Sequence, residues 1–297
     1  MTSVLGISGG AFYIRAQARA AMTLHEQGQR FDCYTGSSSG SIISFVAAVH
    51  GIPKMWAAAQ NINPADAIKN SPYNDKGEIR DWVSIKAGLF GEMPVKQSVA
   101  PIISAIVSKR DFDLWRKTAG TADCFVLTAD IENSCRKLWN LKFYSYELVL
   151  KIIEASCAMQ GMVKPIEVGC FLNWDGGQFD HNPIHQLFEI EAGANIKHAC
   201  AIWSRPNNWA VPFKDMKEAK AMALLMRMIE IDNVEKSNND QSIFEAKCKE
   251  RGIKPLQVFI ERVLKHPYDS STEGQAAAVK EGDLAAMTAL SDWAKSP

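Results

Sequence analysis

No apolar run in this 297-residue sequence reaches the roughly 18 uncharged residues of a bilayer-spanning helix, so a transmembrane segment is excluded. Neither charge sign is in excess: Lys plus Arg and Asp plus Glu number 33 each. That balance removes any bulk field able to gather nucleic acid or hold the chain on an anionic bilayer, and leaves only local, transient membrane contact. No two cysteines form a CxxC pair and no histidine stands at zinc-finger spacing, so the seven cysteines read as thiols in a reducing compartment. The opening residues, Met1-Thr2-Ser3-Val4-Leu5-Gly6, place no basic segment before an apolar one. The expectation is a soluble cytoplasmic protein without a signal peptide, a virus-encoded or exported effector also being compatible. Internal repeats, low-complexity tracts and linkers are absent too, which favours one domain over residues 1–297.

What is present is a folding-competent balance, 47% hydrophobic and 22% charged, with a strong αβ alternation at the start. Val4 to Ser8 reads as a strand, Tyr13 to Gln27 as a helix closed by Gly28, Phe31 to Thr35 as a second strand and Ile42 to His50 as a second helix. Two βα units in succession require crossover helices on both sheet faces, which predicts a three-layer α/β/α fold with a mainly parallel central sheet. Residues 53–120 read as helical fragments in an insertion able to cap a site. Phe125 to Ile131, Lys137 to Leu141, Cys170 to Trp174 and Ala199 to Trp203 are further predicted strands, and Tyr146 to Ala158 and Ile184 to Ala192 predicted helices. A motif-bearing core spans about 1–205, and a mostly helical part about 206–297.

Three glycine-bearing turns carry chemistry. Gly36-Ser37-Ser38-Ser39-Gly40 fits G-x-S-x-G, where small residues let a strand turn sharply into a helix and expose the central serine. The bland readings are a serine-rich N-cap turn or a phosphate cradle, and the missing Walker lysine counts against the cradle. Ser8-Gly9-Gly10-Ala11 lies between the first strand and helix, where consecutive small residues can present backbone N–H groups to an oxyanion; a dinucleotide turn would need the absent G-x-G-x-x-G. Asp175-Gly176-Gly177 follows a predicted strand, which would put a carboxylate at the sheet edge where parallel-sheet sites assemble; a structural Asp-Gly turn is the plain alternative.

Together these turns resemble the patatin-like phospholipases. Ala155-Ser156-Cys157-Ala158 with Pro165, and Asn182-Pro183 after the Asp-Gly-Gly, extend the resemblance over about 1–200, and Tyr268 to Gly282 faintly resembles the family's closing helix. The resemblance implies a phospholipase A type serine hydrolase of glycerophospholipid fatty-acyl esters. In it Ser38 is the nucleophile, Asp175 the general base acting without histidine, and Gly9, Gly10 and Ala11 the oxyanion hole. An acyl-enzyme forms, and no metal or organic cofactor takes part.

The chain departs from the family at Ala11, Tyr13 and Ile14, where a third glycine, a basic residue and a further glycine are usual; Arg15 is a stand-in for the cation. Ala11 keeps its N–H, but the hole is compromised if the site demands a positive φ there. Two alternatives follow. One is a small-ester hydrolase with a Ser-His-Asp triad completed by His181, His185, His198 or His266; the other is a catalytically inactive binding module. Met216, Met222, Leu225, Met226, Met228 and Ile229 in a predicted helix over Lys214 to Lys236 read as core or as an acyl-channel wall. Trp82, Phe90 and Trp115 read as core or lipid-inserting aromatics.

Overall fold

Strand β1 (Ser3–Ile7) is apolar along its length because it lies mid-sheet with both faces covered. The computed structural model of the chain describes residues 2–69, 80, 93, 95–204, 221–261, 263–264 and 269–295. Among these, β1 pairs in parallel with β2 (Cys33–Gly36) and with β9 (His198–Trp203). The parallel set continues to β10 (Leu256–Phe259) beyond β9 and to β5 (Asp123–Asp130) beyond β2. β6 (Cys135–Asn140) and β8 (Phe171–Asp175) run antiparallel to β5, and β7 (Ile166–Val168) pairs antiparallel with β8, completing an eight-stranded sheet. Two-residue strands β3 (Ile68–Lys69) and β4 (Lys96–Gln97) form a separate ladder.

Pleating sends successive residues to opposite faces, and here it sorts them into two cores. Leu5, Ile7, Cys124, Val126, Cys200 and Ile202 join one; Val4, Phe125, Ala199, Ala201 and Trp203 join the other. The first core is covered by α1 (Ile14–Glu26), α2 (Ser39–His50), α3 (Ile52–Asn61) and, after the short α4 (Pro64–Ala67), by α5 (Ala100–Ile106), α6 (Lys109–Lys117) and α7 (Tyr146–Ser156). Phe244 and Cys248 of α8 (Ala221–Glu250) cover the second, together with a 3-10 helix at Pro183–Phe188. The closing helix, α9 (Thr272–Lys295), packs on α1 so tightly that a Cβ on Gly282 would stand 2.2 Å from the Ala16 carbonyl oxygen. The architecture is the expected α/β/α sandwich.

Several sequence expectations change in detail. The segment predicted as a helix over Ile184 to Ala192 is two 3-10 turns, Pro183–Phe188 and Glu191–Gly193. All six residues of the first are buried, so packing on both sides rather than an amphipathic period sets its shape. Trp115 is 3% exposed and stacks among Phe45 and Phe112, so it is core and not a lipid-inserting side chain. The described residues of the insertion form the helical fragments α3 to α6 and the short β3–β4 ladder; Trp82 and Phe90 lie outside the described residues, as do Met216, His266 and Tyr268. The methionine-bearing helix runs on to Glu250, and of its predicted methionines the only described side chain is that of Met228, which is exposed. No described helix is long and apolar enough to cross a membrane.

Candidate active site

The two segments that carry Ser38 and Asp175 meet because of an edge shared on β5. β6 runs unbroken along one edge of β5 from Phe125 to Asp130, so β2 and β8 must both use the other. They approach from opposite directions. β2 ends with Gly36 opposite Val126, and β8 ends with Asp175 opposite Thr128. The sequence argument placed Asp175 at the C-terminal edge of a parallel strand; the strand is antiparallel, and the meeting arises from two strand ends converging head to head.

Ser38 occupies φ 52°, ψ −129°, a region costing a non-glycine residue about 1–3 kcal/mol and populated at functional turns. The surroundings hold it there. Its N–H donates to Ser156 Oγ at 3.0 Å, and Ser156 in turn donates to the Leu127 carbonyl at 2.7 Å. Its carbonyl accepts from the Ser41 N–H at 2.9 Å, from Ser41 Oγ at 2.6 Å and from Cys157 Sγ at 3.3 Å. Desolvation, then the Asp175 charge, pushes the Cys157 thiol well above its ordinary range, so it stays a protonated donor and not a competing nucleophile. Ser38 is the N-cap residue of α2, which directs the positive end of the helix dipole at the turn.

Asp175 Oδ1 accepts the Gly177 N–H at 2.8 Å and the Ser37 hydroxyl at 3.3 Å, tying the carboxylate to the serine turn through the residue beside Ser38. Both following glycines are needed for space. A Cβ on Gly176 would lie 2.4 Å from the Leu127 carbonyl oxygen, and one on Gly177 3.2 Å from Asp175 Oδ1. Gly176 therefore packs on β5, and Gly177 borders the carboxylate and the Ser37 hydroxyl.

The glycine loop is modified in two respects. The Gly9 N–H donates to the His181 carbonyl at 2.9 Å, which commits it to the scaffold and leaves Gly10 and Ala11 as the loop's candidates for oxyanion donors. Ala11 adopts φ 47°, the left-handed conformation that favours glycine. Holding an L-residue there costs about 1–2 kcal/mol, so Ala11→Gly is expected to stabilise the fold by about 1 kcal/mol. Thermal unfolding should then shift upward by roughly 2–4 °C. An unchanged midpoint would mean that the loop bears no strain. Arg15, the stand-in for the missing cation, donates to the Ile62 carbonyl at 2.7 Å.

One group at the site carried no sequence signal beyond polarity in an apolar stretch. Gln17, fully buried on α1, donates to the Ser8 carbonyl and to Ser204 Oγ, both at 2.7 Å, and accepts from Ser39 Oγ at 3.0 Å. It clamps the glycine loop, the end of β9 and the start of α2 together. Ser156 stood in the sequence resemblance without a role, and its place under the Ser38 N–H supplies one. Of the four candidate histidines, His181 borders Ser38: the point where a Gly9 Cβ would sit is 3.2 Å from Ser38 Cβ and 3.5 Å from His181 Nε2. His185 faces Asp180, with Nε2 3.5 Å from its Oδ1. His198 instead pairs with Ser3 and stacks on Phe31.

A family profile described as patatin-like phospholipase matches residues 5–188, a span holding all three glycine-bearing turns. No curated protein matches the chain. Among solved structures it is similar in fold to VipD from Legionella pneumophila, at 14% identity with a TM-score of 0.54, covering 98% of this chain and 67% of that one. It also aligns with the type III effector protein ExoU at 9% identity and a TM-score of 0.43, covering 99% of this chain and 54% of that one.

Proposed function

The chain belongs to the patatin-like phospholipase family, and from that premise we propose that it hydrolyses fatty-acyl esters of glycerophospholipids with Ser38 as nucleophile and Asp175 as base. The observation that carries this reading is the convergence of the β2 and β8 ends on one edge of β5, which brings the serine turn against the Asp175 carboxylate. Ser38 Oγ attacks the ester carbonyl as its proton passes to Asp175, and the tetrahedral oxyanion is met by the Gly10 and Ala11 amides. Collapse expels the lysolipid alcohol, which takes the proton from Asp175. Water activated by the same carboxylate then attacks the acyl-enzyme, releasing fatty acid and regenerating the serine.

A carboxylate of reference pKa about 3.9 is a weak base toward a hydroxyl, so the reaction depends on how far the site excludes water when lipid is bound. The insertion helices over the first core suit a lipid-covered cleft. Membrane contact is then a property of the bound state.

A fluorophosphonate probe tests the proposal. Wild type is expected to label covalently at a single serine and Ser38→Ala not to label. A folded wild type that resists the probe would instead identify an inactive binding module. A second reading, a Ser-His-Asp triad acting on small esters, is favoured by the His181 imidazole beside Ser38. His181→Gln separates the two: the dyad retains labelling, whereas a triad loses it as completely as Ser38→Ala.

A further inference from the structure

Behind the glycine loop, Asp180, His185 and Asp240 are all buried, and each can offer one ligand atom such that the three lie within 4.8 Å of one another. They come from separate elements: Asp180 from the turn after Asp175, His185 from the 3-10 helix and Asp240 from α8. Protein donors already hold Asp240 through one oxygen and Asp180 through both. Asp240 Oδ2 accepts the backbone N–H groups of His181 at 2.5 Å and Asn182 at 3.1 Å. Asp180 Oδ2 accepts from the Gln186 amide, and Arg136 Nη1 lies 3.2 Å from Oδ2 and 3.4 Å from Oδ1.

The remaining atoms converge. Asp180 Oδ1 faces His185 Nε2 at 3.5 Å, and Asp240 Oδ1, on a side chain with no exposed surface, has no hydrogen-bond partner among the described residues. A fully buried carboxylate oxygen beside a second carboxylate and an imidazole is unfavourable unless a proton or a cation is shared between them; burial and then the Asp180 charge push the Asp240 carboxyl up to about 8, in keeping with that need. Arg136 is the guanidinium bonded to this group, and it reaches Asp180. Asp240 Oδ2 is held by backbone amides and Asp180 Oδ2 by Gln186 and Arg136, while Asp180 Oδ1, 3.4 Å from Arg136, also faces the imidazole; carboxylates oriented in this way around an imidazole nitrogen are the pattern of a metal site with its supporting shell.

We infer that Asp180, His185 and Asp240 bind one divalent transition-metal ion, of the zinc or manganese class. One imidazole with two carboxylates suits such ions better than calcium, which takes six to eight oxygens, or magnesium, which keeps several waters. The ion ties α8 to the turn carrying His181, whose carbonyl holds the Gly9 amide, and so braces the glycine loop from behind. Cysteine pairs and histidines at zinc-finger spacing carry no information about a ligand set gathered from three elements.

The test uses the full chain, stripped with EDTA and dialysed against ZnCl2 or MnCl2, with metal content and thermal unfolding as readouts independent of ester hydrolysis. Wild type is expected to retain one equivalent and to unfold at higher temperature with metal than without. Asp240→Asn keeps an oxygen for the two backbone amides, and His185→Gln keeps a polar side chain. Each, folded by circular dichroism, is expected to bind at least tenfold more weakly and to lose the metal-dependent shift. Folded wild type that retains no metal, or variants that retain as much as wild type, would overturn the inference.

Discussion

Asp175→Asn is expected to slow fatty-acid release by about a thousandfold while leaving the fold intact, the middle of the range for loss of a general base. The substitution is isosteric. An Asn oxygen still accepts the Gly177 N–H and the Ser37 hydroxyl that Asp175 Oδ1 accepts now, so the tie between β8 and the serine turn survives. What disappears is the basicity that the proposed dyad assigns to Asp175. Two readouts separate a chemical role from a structural one: thermal unfolding should stay near wild type, and phospholipid turnover should fall through kcat with little change in KM. A variant that turns over at the wild-type rate would remove Asp175 from the mechanism. A variant that instead unfolds would show the carboxylate acting as a turn anchor.

That the serine turn and the Asp-Gly-Gly turn meet was legible in the sequence, but the reason given for it was not. G-x-S-x-G and Asp-Gly-Gly are readable as short strings, although their glycines answer contacts with backbone far along the chain, Gly40 with Ile7 and Gly176 with Leu127. The direction of β8 is non-local. Nothing in Phe171 to Asp175 distinguishes a strand running with β5 from one running against it; pairing with a partner dozens of residues earlier decides that. Ala11 shows a different limit, since its missing glycine was visible but its φ depended on how Ser8 and Gly9 are tethered to β9 and His181. The cluster of Asp180, His185 and Asp240 was invisible for the same reason, as α8 reaches it from far along the chain. Trp115 was ambiguous because an aromatic beside charged residues on a short helix fits core and surface equally; contact with Phe45 and Phe112 decided it.

Gly40→Ala is expected to cost roughly 3 kcal/mol of stability, at the upper end of overpacking, and to cut labelling of whatever remains folded. Gly40 lies in the first turn of α2, where an added Cβ would stand 2.2 Å from the Ile7 carbonyl oxygen and 2.6 Å from that of Ser8. Neither atom belongs to a side chain that can rotate aside. Ile7 closes a strand flanked by β2 and β9, and Ser8 begins the glycine loop with its N–H bonded to Ile202. Relief must therefore come from lifting the start of α2, and Ser38 moves with it. Displacing a nucleophile by about 1 Å costs on the order of a hundredfold in rate, so activity should fall further than the loss of folded protein explains. Gly28→Ala supplies the contrast. Gly28 adopts φ 87° with nothing within 4 Å of its missing Cβ, so only conformational strain of about 1 kcal/mol is expected there, with labelling unchanged. Equal effects at the two positions would show that α2 does not need its close approach to β1.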